Sequence, residues 1–319
     1  MFSDMWLALL LPLCYAKKKQ EVTKMKLITF RRNEQEYVGV VSPCLTKVTP
    51  ISAFWLPYKS MNELIEQGNA EELQALSEGA GMDGPAAMPL SEVEILAPIP
   101  VPRQDILCLG INYMEHAAES ARYKKEDFNG ERPYPVYFSK RVNRCTPNGG
   151  EIDGHFAIQE RLDYEVELGV ILSKDARNVS REDAFRYVFG YTIINDVSSR
   201  DLQGRHKQFY FAKSLDTFTC MGPWIVTPEE LPCPPMLEIQ SRVNGELRQN
   251  SSTEKLIFDI PYIIEELSAG MTLKAGTIIA TGTPSGVGMG FDPPKWMKAG
   301  DVVECRIEGI GTLRNMVSC

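Results

Sequence analysis

The run Asp163-Tyr164-Glu165-Val166-Glu167-Leu168 constrains this 319-residue chain more than any other stretch. Val166, Leu168, Val170 and Leu172 alternate with Glu165, Glu167 and Gly169, which is the pattern of a β-strand. A side-chain period of two puts Glu165 and Glu167 on one face. Two carboxylates on one face repel each other, so they need either solvent or a positive charge between them. The apolar residues flanking the pair argue against a wholly solvated face. Asp196 ends a second apolar run, Tyr191-Thr192-Ile193-Ile194, 29 residues beyond Glu167. It can aim a third carboxylate from a strand end. Three carboxylates with no His or Cys nearby suit a hard cation, Mg2+ or Mn2+. From spacing alone, such a pair is more often a solvated strand face than a metal site.

Composition removes several function classes. An apolar content of 44% over this length supports a sizeable core in one large or two modest domains. The net charge of -8, with no basic cluster interleaved with aromatics, argues against nucleic acid as a partner. The eight cysteines include no Cys-x-x-Cys pair, and a chain this large needs no disulfides, so reduced thiols and a cytoplasmic location are expected. Three histidines make a multi-His zinc site a poor fit. The apolar run Trp6 to Leu13 is too short to span a bilayer, and its basic residues follow it, the reverse of a secretory signal. Residues 1–24 are therefore expected to be an extension upstream of a natural start at Met25, with no membrane partner.

Residues 25–97 read as a small N-terminal domain: short apolar runs with turn residues, an interrupted helical pattern over Met61 to Glu78, and a proline-rich linker from Pro85 to Pro102. Residues 98–319 form the second domain, where short β-branched and aromatic runs dominate. Asn244-Gly245 predicts a hairpin turn. Ser180-Arg181-Glu182-Asp183 predicts the start of a helix, as does Pro261 to Leu267. The fold class is α+β, mainly β. Asn112 to Glu119 reads as a short helix with His116 and Glu119 on one face. That is either a surface pair or a general base held by a carboxylate.

Six pieces stand in one order over about two-thirds of the chain. They are Leu109 to Glu119 (Leu-Gly-Ile-Asn-Tyr-Met-Glu-His-Ala-Ala-Glu), Asp163 to Leu168, Gly190 to Gln203, Ala212 to Phe218, Gly222-Pro223-Trp224 and Thr281 to Gly288 (Thr-Gly-Thr-Pro-Ser-Gly-Val-Gly). In this the chain resembles the fumarylacetoacetate hydrolase family, in its short form with a small N-terminal domain. The acylpyruvate hydrolases and 2-hydroxyhepta-2,4-diene-1,7-dioate isomerases are of this kind.

The resemblance implies a mixed β-roll and a homodimer. It implies Glu165, Glu167 and Asp196 as ligands of Mg2+ or Mn2+, and His116 with Glu119 as the base that activates water. Lys213 stabilises an oxyanion and Gln203 hydrogen-bonds the carbonyl or the water. Arg200 and Thr283 are substrate contacts. Lys140, with Arg141 and Arg144, either favours a dicarboxylate or lies on a solvated surface. His155 and His206 have no motif support. The implied activity is hydrolysis of a C–C bond in a 2,4-dioxo acid through a metal-stabilised enolate. Decarboxylation of oxaloacetate, or tautomerisation of a related oxo acid, is the alternative. A metal-binding relative without turnover is the alternative of another class.

Overall fold

The structure is a computed structural model that describes residues 24–81, 84–131 and 133–319. The expected extension, residues 1–24, lies outside the described residues except for Lys24. Among the described residues no helix is long and apolar enough to cross a membrane.

Two sheets build the body, and the architecture is α+β, mainly β. An eleven-stranded mixed sheet runs in the order Met88–Pro89, Lys47–Pro50, Gln35–Val41, Lys26–Arg32, Thr219–Val226, Val188–Asp196, Val166–Leu172, Ile278–Ala280, Ile106–Gly110, Val136–Lys140, with Glu94–Ile95 also on Lys26–Arg32. A five-stranded sheet runs Glu246–Ser252, Glu238–Val243, Val302–Ile307, Gly311–Ser318, Glu151–Asp153. Strand Lys26–Arg32 joins strand Thr219–Val226 through the pairs Lys26↔Val226 and Leu27↔Ile225, so the N-terminal strands continue the main sheet. The proline-rich stretch carries two short strands, Met88–Pro89 on Lys47–Pro50 and Glu94–Ile95 on Lys26–Arg32.

Strand Val166–Leu172 explains why its two faces differ. All seven residues are buried. Val166, Leu168, Val170 and Leu172 pack with Ile239, Val303 and Ile307 of the five-stranded sheet. Ile171, on the opposite face, packs with Leu64, Ile65 and Leu76 of helices Met61–Gln67 and Ala70–Gly79. Glu167, near the strand's N-terminal end, shares the Ile171 face, and Glu165 immediately precedes the strand. Gly169 lies between, where a Cβ would meet Ile194 Cδ1 at 2.8 Å.

Local signals decide the connections. Asn244 and Gly245 take φ values of 51° and 82° and join Val243 to Glu246 in the expected hairpin. Helix Ile260–Gly270 starts where Asp259 accepts the Tyr262 amide at 2.8 Å, with Pro261 in its first turn. Asn69 forms a capping box with Glu72, which splits the Met61 to Glu78 pattern into two helices. The helix expected from Ser180 is absent. A turn leads instead into the 3-10 segment Ala184–Tyr187. The Ser180 hydroxyl bonds the Asp183 side chain at 3.3 Å, and the backbone bonds run three residues back rather than four, from Asp183 N to Ser180 O at 3.1 Å and from Arg186 N to Asp183 O at 2.9 Å.

Candidate active site

The three carboxylates meet. Glu165 precedes strand Val166–Leu172, Glu167 lies within it, and Asp196 ends the antiparallel neighbour Val188–Asp196, in which Glu167 pairs with Ile194. Each offers an oxygen within 4.8 Å of the others, and all are buried. Lys213 places its Nζ 2.8 Å from Glu165 Oε2, 2.7 Å from Asp196 Oδ2 and 2.8 Å from Ser198 Oγ. Those three acceptors use all three ammonium donors, so Lys213 acts here as a fixed charge. Burial by itself would raise the Glu165 carboxyl, but Lys213 and then Arg200 outweigh it and bring it down to about 2. Glu167 goes the other way. Burial, then the charges of Asp196 and Glu165, push it well above the ordinary carboxylate range. Its Oε2 accepts the Gly282 amide at 2.9 Å. An oxygen-only, buried, like-charged cluster of this kind fits a hard divalent cation, which would relieve the repulsion that holds Glu167 up.

Arg200 and Lys140 hold the cluster from two sides. Arg200 donates from Nε to Asp163 Oδ2 at 2.9 Å, from Nη2 to Glu165 Oε1 at 2.6 Å and from Nη1 to Gln203 Oε1 at 3.0 Å. It therefore orients Glu165 and leaves the Gln203 amide nitrogen as a donor. Lys140, expected at the substrate, lies instead behind Asp196. It is fully buried, bonds Asp196 Oδ1 and donates to Phe218 O at 2.8 Å. The edge strand Val136–Lys140 turns this side chain inward, and Arg144 pairs with Glu36 on the surface.

The dyad lies on helix Met114–Lys124, which begins two residues later and runs longer than the expected Asn112 to Glu119. His116 Nδ1 is 2.9 Å from Glu119 Oε2, and both side chains are buried. Glu119 Oε1 accepts the Gly286 amide at 2.9 Å. An ionised carboxylate can only accept, so Nδ1 carries the proton and Nε2 is the basic nitrogen. Asn112 secures the turn before this helix, bonding Thr281 O at 2.8 Å and Phe258 O at 3.0 Å.

One cleft gathers His116, Glu165, Arg200, Gln203, Lys213 and Thr283. Thr283 donates its one hydroxyl proton to Val166 O at 2.9 Å and accepts from Gln249 at 2.7 Å. It has no donor left for a substrate carboxylate. His155 and His206 do not line this cleft. His155 bonds Asp216 O at 3.0 Å, and His206 stacks edge-on against Phe211.

The fumarylacetoacetate (FAA) hydrolase C-terminal family matches residues 105–318. This chain belongs to that family. The oxaloacetate tautomerase YisK of Bacillus subtilis is 48% identical over 229 residues, 72% of this chain and 74% of the relative. The solved fumarylacetoacetate hydrolase of Exiguobacterium antarcticum is 37% identical with a TM-score of 0.78, covering 92% of this chain and 99% of that one. A maleylpyruvate hydrolase from Sphingobium sp. SYK-6, solved with manganese(II) and pyruvate, is 30% identical with a TM-score of 0.72 over 92% of this chain and 99% of that one.

Two positions of this family member escaped the sequence reading. Asp163 is fully buried and accepts from the Gly288 amide at 2.6 Å, the Met289 amide at 3.1 Å and Arg200. It ties the loop beside the dyad to the Glu165 side of the cleft. Lys124 lines the cleft at the end of the dyad's own helix. The repeat of His116, Ser120 and Lys124 every fourth residue was the available signal.

Proposed function

We propose that the protein is a divalent-metal enzyme that moves a proton at the carbon beside the oxo group of a 2-oxo dicarboxylic acid, an oxaloacetate-type keto–enol tautomerisation. The observation that carries this reading is that His116 and Glu165 line one cleft, which sets a base next to a carboxylate cluster. The 48% identity to an oxaloacetate tautomerase favours this reaction over the others known in the family.

Glu165, Glu167 and Asp196 would hold Mg2+ or Mn2+. When bound, the cation supplies Lewis acidity to the carboxylate and oxo oxygens of the substrate. His116 Nε2 takes the proton from the enol oxygen and delivers it to the neighbouring carbon, or the reverse. Glu119 keeps Nδ1 protonated and steadies the imidazolium that forms midway. Lys213 adds a fixed positive charge beside the oxygen that becomes negative. Gln203 has a free amide N–H for the same oxygen.

A second reading is favoured by the likeness to a maleylpyruvate hydrolase. There the same base activates water, which attacks the distal oxo carbon of a 2,4-dioxo acid and cleaves the C–C bond. The purified protein, supplied with Mn2+, is to be incubated with oxaloacetate and with acylpyruvate and the products resolved. Faster enol–keto interconversion of oxaloacetate with acylpyruvate left intact supports tautomerisation. Release of pyruvate from acylpyruvate as the main activity contradicts it.

A further inference from the structure

We infer that Arg248 is a positioning residue for the dyad: it holds the loop Gly286 to Phe291 against Glu119, and so decides which ring nitrogen of His116 is basic. This rests on the proposed role of His116 as the base.

Glu119 is seated by that loop. Its Oε1 accepts the Gly286 amide at 2.9 Å, and a Cβ built at Gly290 would overlap the same oxygen. The loop is tied to the body at its start and in its middle. Tyr164 donates to Gly286 O at 2.9 Å, and the Gly288 and Met289 amides bond Asp163. The Lys295 amide closes the far side on Gly288 O at 2.9 Å. Phe291, directly after Gly290, is held by charge. Arg248 Cζ lies 5.2 Å from its ring centroid and Lys295 Nζ lies 4.6 Å from it. Glu246 pairs with both cations.

The two cations are not equivalent. The Lys295 side chain is 41% exposed, that of Arg248 only 11%. Arg248 gives Nη2 to Glu246 at 3.0 Å, while its Nε and Nη1 are buried with no hydrogen-bond partner among the described residues. A desolvated cation is costly unless something answers its charge. The Phe291 ring does so, because a cation over an aromatic face gains most where water is excluded. The Tyr164 phenol lies within reach of the same charge. The backbone of Arg248 meets the other end of the loop, where a Cβ built at Gly286 would overlap Arg248 O. Arg248 thus touches both ends of the loop that seats Glu119. A surface pair with Glu246 alone would need neither the burial nor the ring.

The test reads the His116 tautomer from imidazole nitrogen NMR shifts of the Mg2+-loaded protein, alongside enol–keto turnover of oxaloacetate. In the wild type the neutral ring should carry its proton on Nδ1, as the bond to Glu119 requires. Arg248→Met should mix the two tautomers and lower kcat about tenfold, short of the loss of the base itself, with KM and Mg2+ affinity unchanged. Phe291→Leu removes the ring and leaves the charge, and it should do the same. It decides the matter if Arg248→Met does not fold. Phe291→Tyr keeps an aromatic face and should keep the wild-type tautomer and kcat. A wild-type tautomer in Arg248→Met or Phe291→Leu, or a loss in Phe291→Leu no greater than in Phe291→Tyr, overturns the inference and leaves the dyad standing. Mixed tautomers with an unchanged kcat, or a wild type whose neutral His116 carries its proton on Nε2, overturn the reading of His116 as the base, and this inference with it.

Discussion

The Glu119 carboxylate occupies the space that a side chain at Gly290 would need: a Cβ built there overlaps Glu119 Oε1. The dyad is thus seated by a loop distant in the chain, through the missing side chain of Gly290 and the amide of Gly286, 167 residues from Glu119. Gly290→Ala should push Glu119 off His116 without touching the carboxylate cluster. The expected result is a loss of turnover of about tenfold or more, approaching the loss of a general base, with Mn2+ affinity unchanged in calorimetry. Wild-type turnover in this variant would mean that Glu119 does not need its seat.

Glu167 carries the cost of three buried carboxylates. Burial and its two acidic neighbours disfavour its charge, so Glu167→Gln removes repulsion when no cation is bound. In the presence of a chelator the variant should melt at or above the wild-type temperature. With Mn2+ at a hundred times its Kd the order should reverse, because ligand binding adds about 2.7 kcal/mol to the wild type only. Equal Mn2+ stabilisation of both proteins in a thermal melt would remove Glu167 from the site.

Lys140 answers Asp196 from below and has no exposure of its own. Lys140→Met leaves the Asp196 carboxylate short of a partner in the interior. Lys213 still answers Asp196 Oδ2 at 2.7 Å, so the cost should stay below the about 3–5 kcal/mol of a buried charge left with no partner and above that of a surface pair, to be read from urea denaturation. Arg144→Ala breaks only the surface pair with Glu36 and should cost under about 1 kcal/mol. If the two variants lost equal stability, Lys140 would not have the structural role its burial gives it.

The fold was legible where a local pattern had one physical outcome. The alternation from Val166 to Leu172 could only be a strand, and its two glutamates had to share a face. Asn244-Gly245 could only turn a hairpin. Ser180 to Asp183 misled because its capping signal competes with strand Val188–Asp196, whose burial on both faces dictates the backbone just upstream. The spacing of His116 and Glu119 showed that they share a helix face, but it was the family resemblance that told a buried base from a surface pair. Asp163 was not readable, because the amides that it accepts belong to Gly288 and Met289, more than a hundred residues away. Lys140 was misplaced for the same reason. Nothing in Tyr137-Phe138-Ser139-Lys140 says whether an edge strand turns its lysine in or out.

We propose His116 as the base on an oxo acid bound through the cation that Glu165, Glu167 and Asp196 would hold. The rate at which enol-oxaloacetate converts to the keto form, followed by ultraviolet absorbance with Mn2+ for the wild type and for His116→Ala, tests it most directly. The expected result is a fall of about 10²–10⁴-fold in the variant, with the same Mn2+ affinity in both proteins. An unchanged rate in His116→Ala, or a wild-type rate that survives removal of the metal, would contradict it.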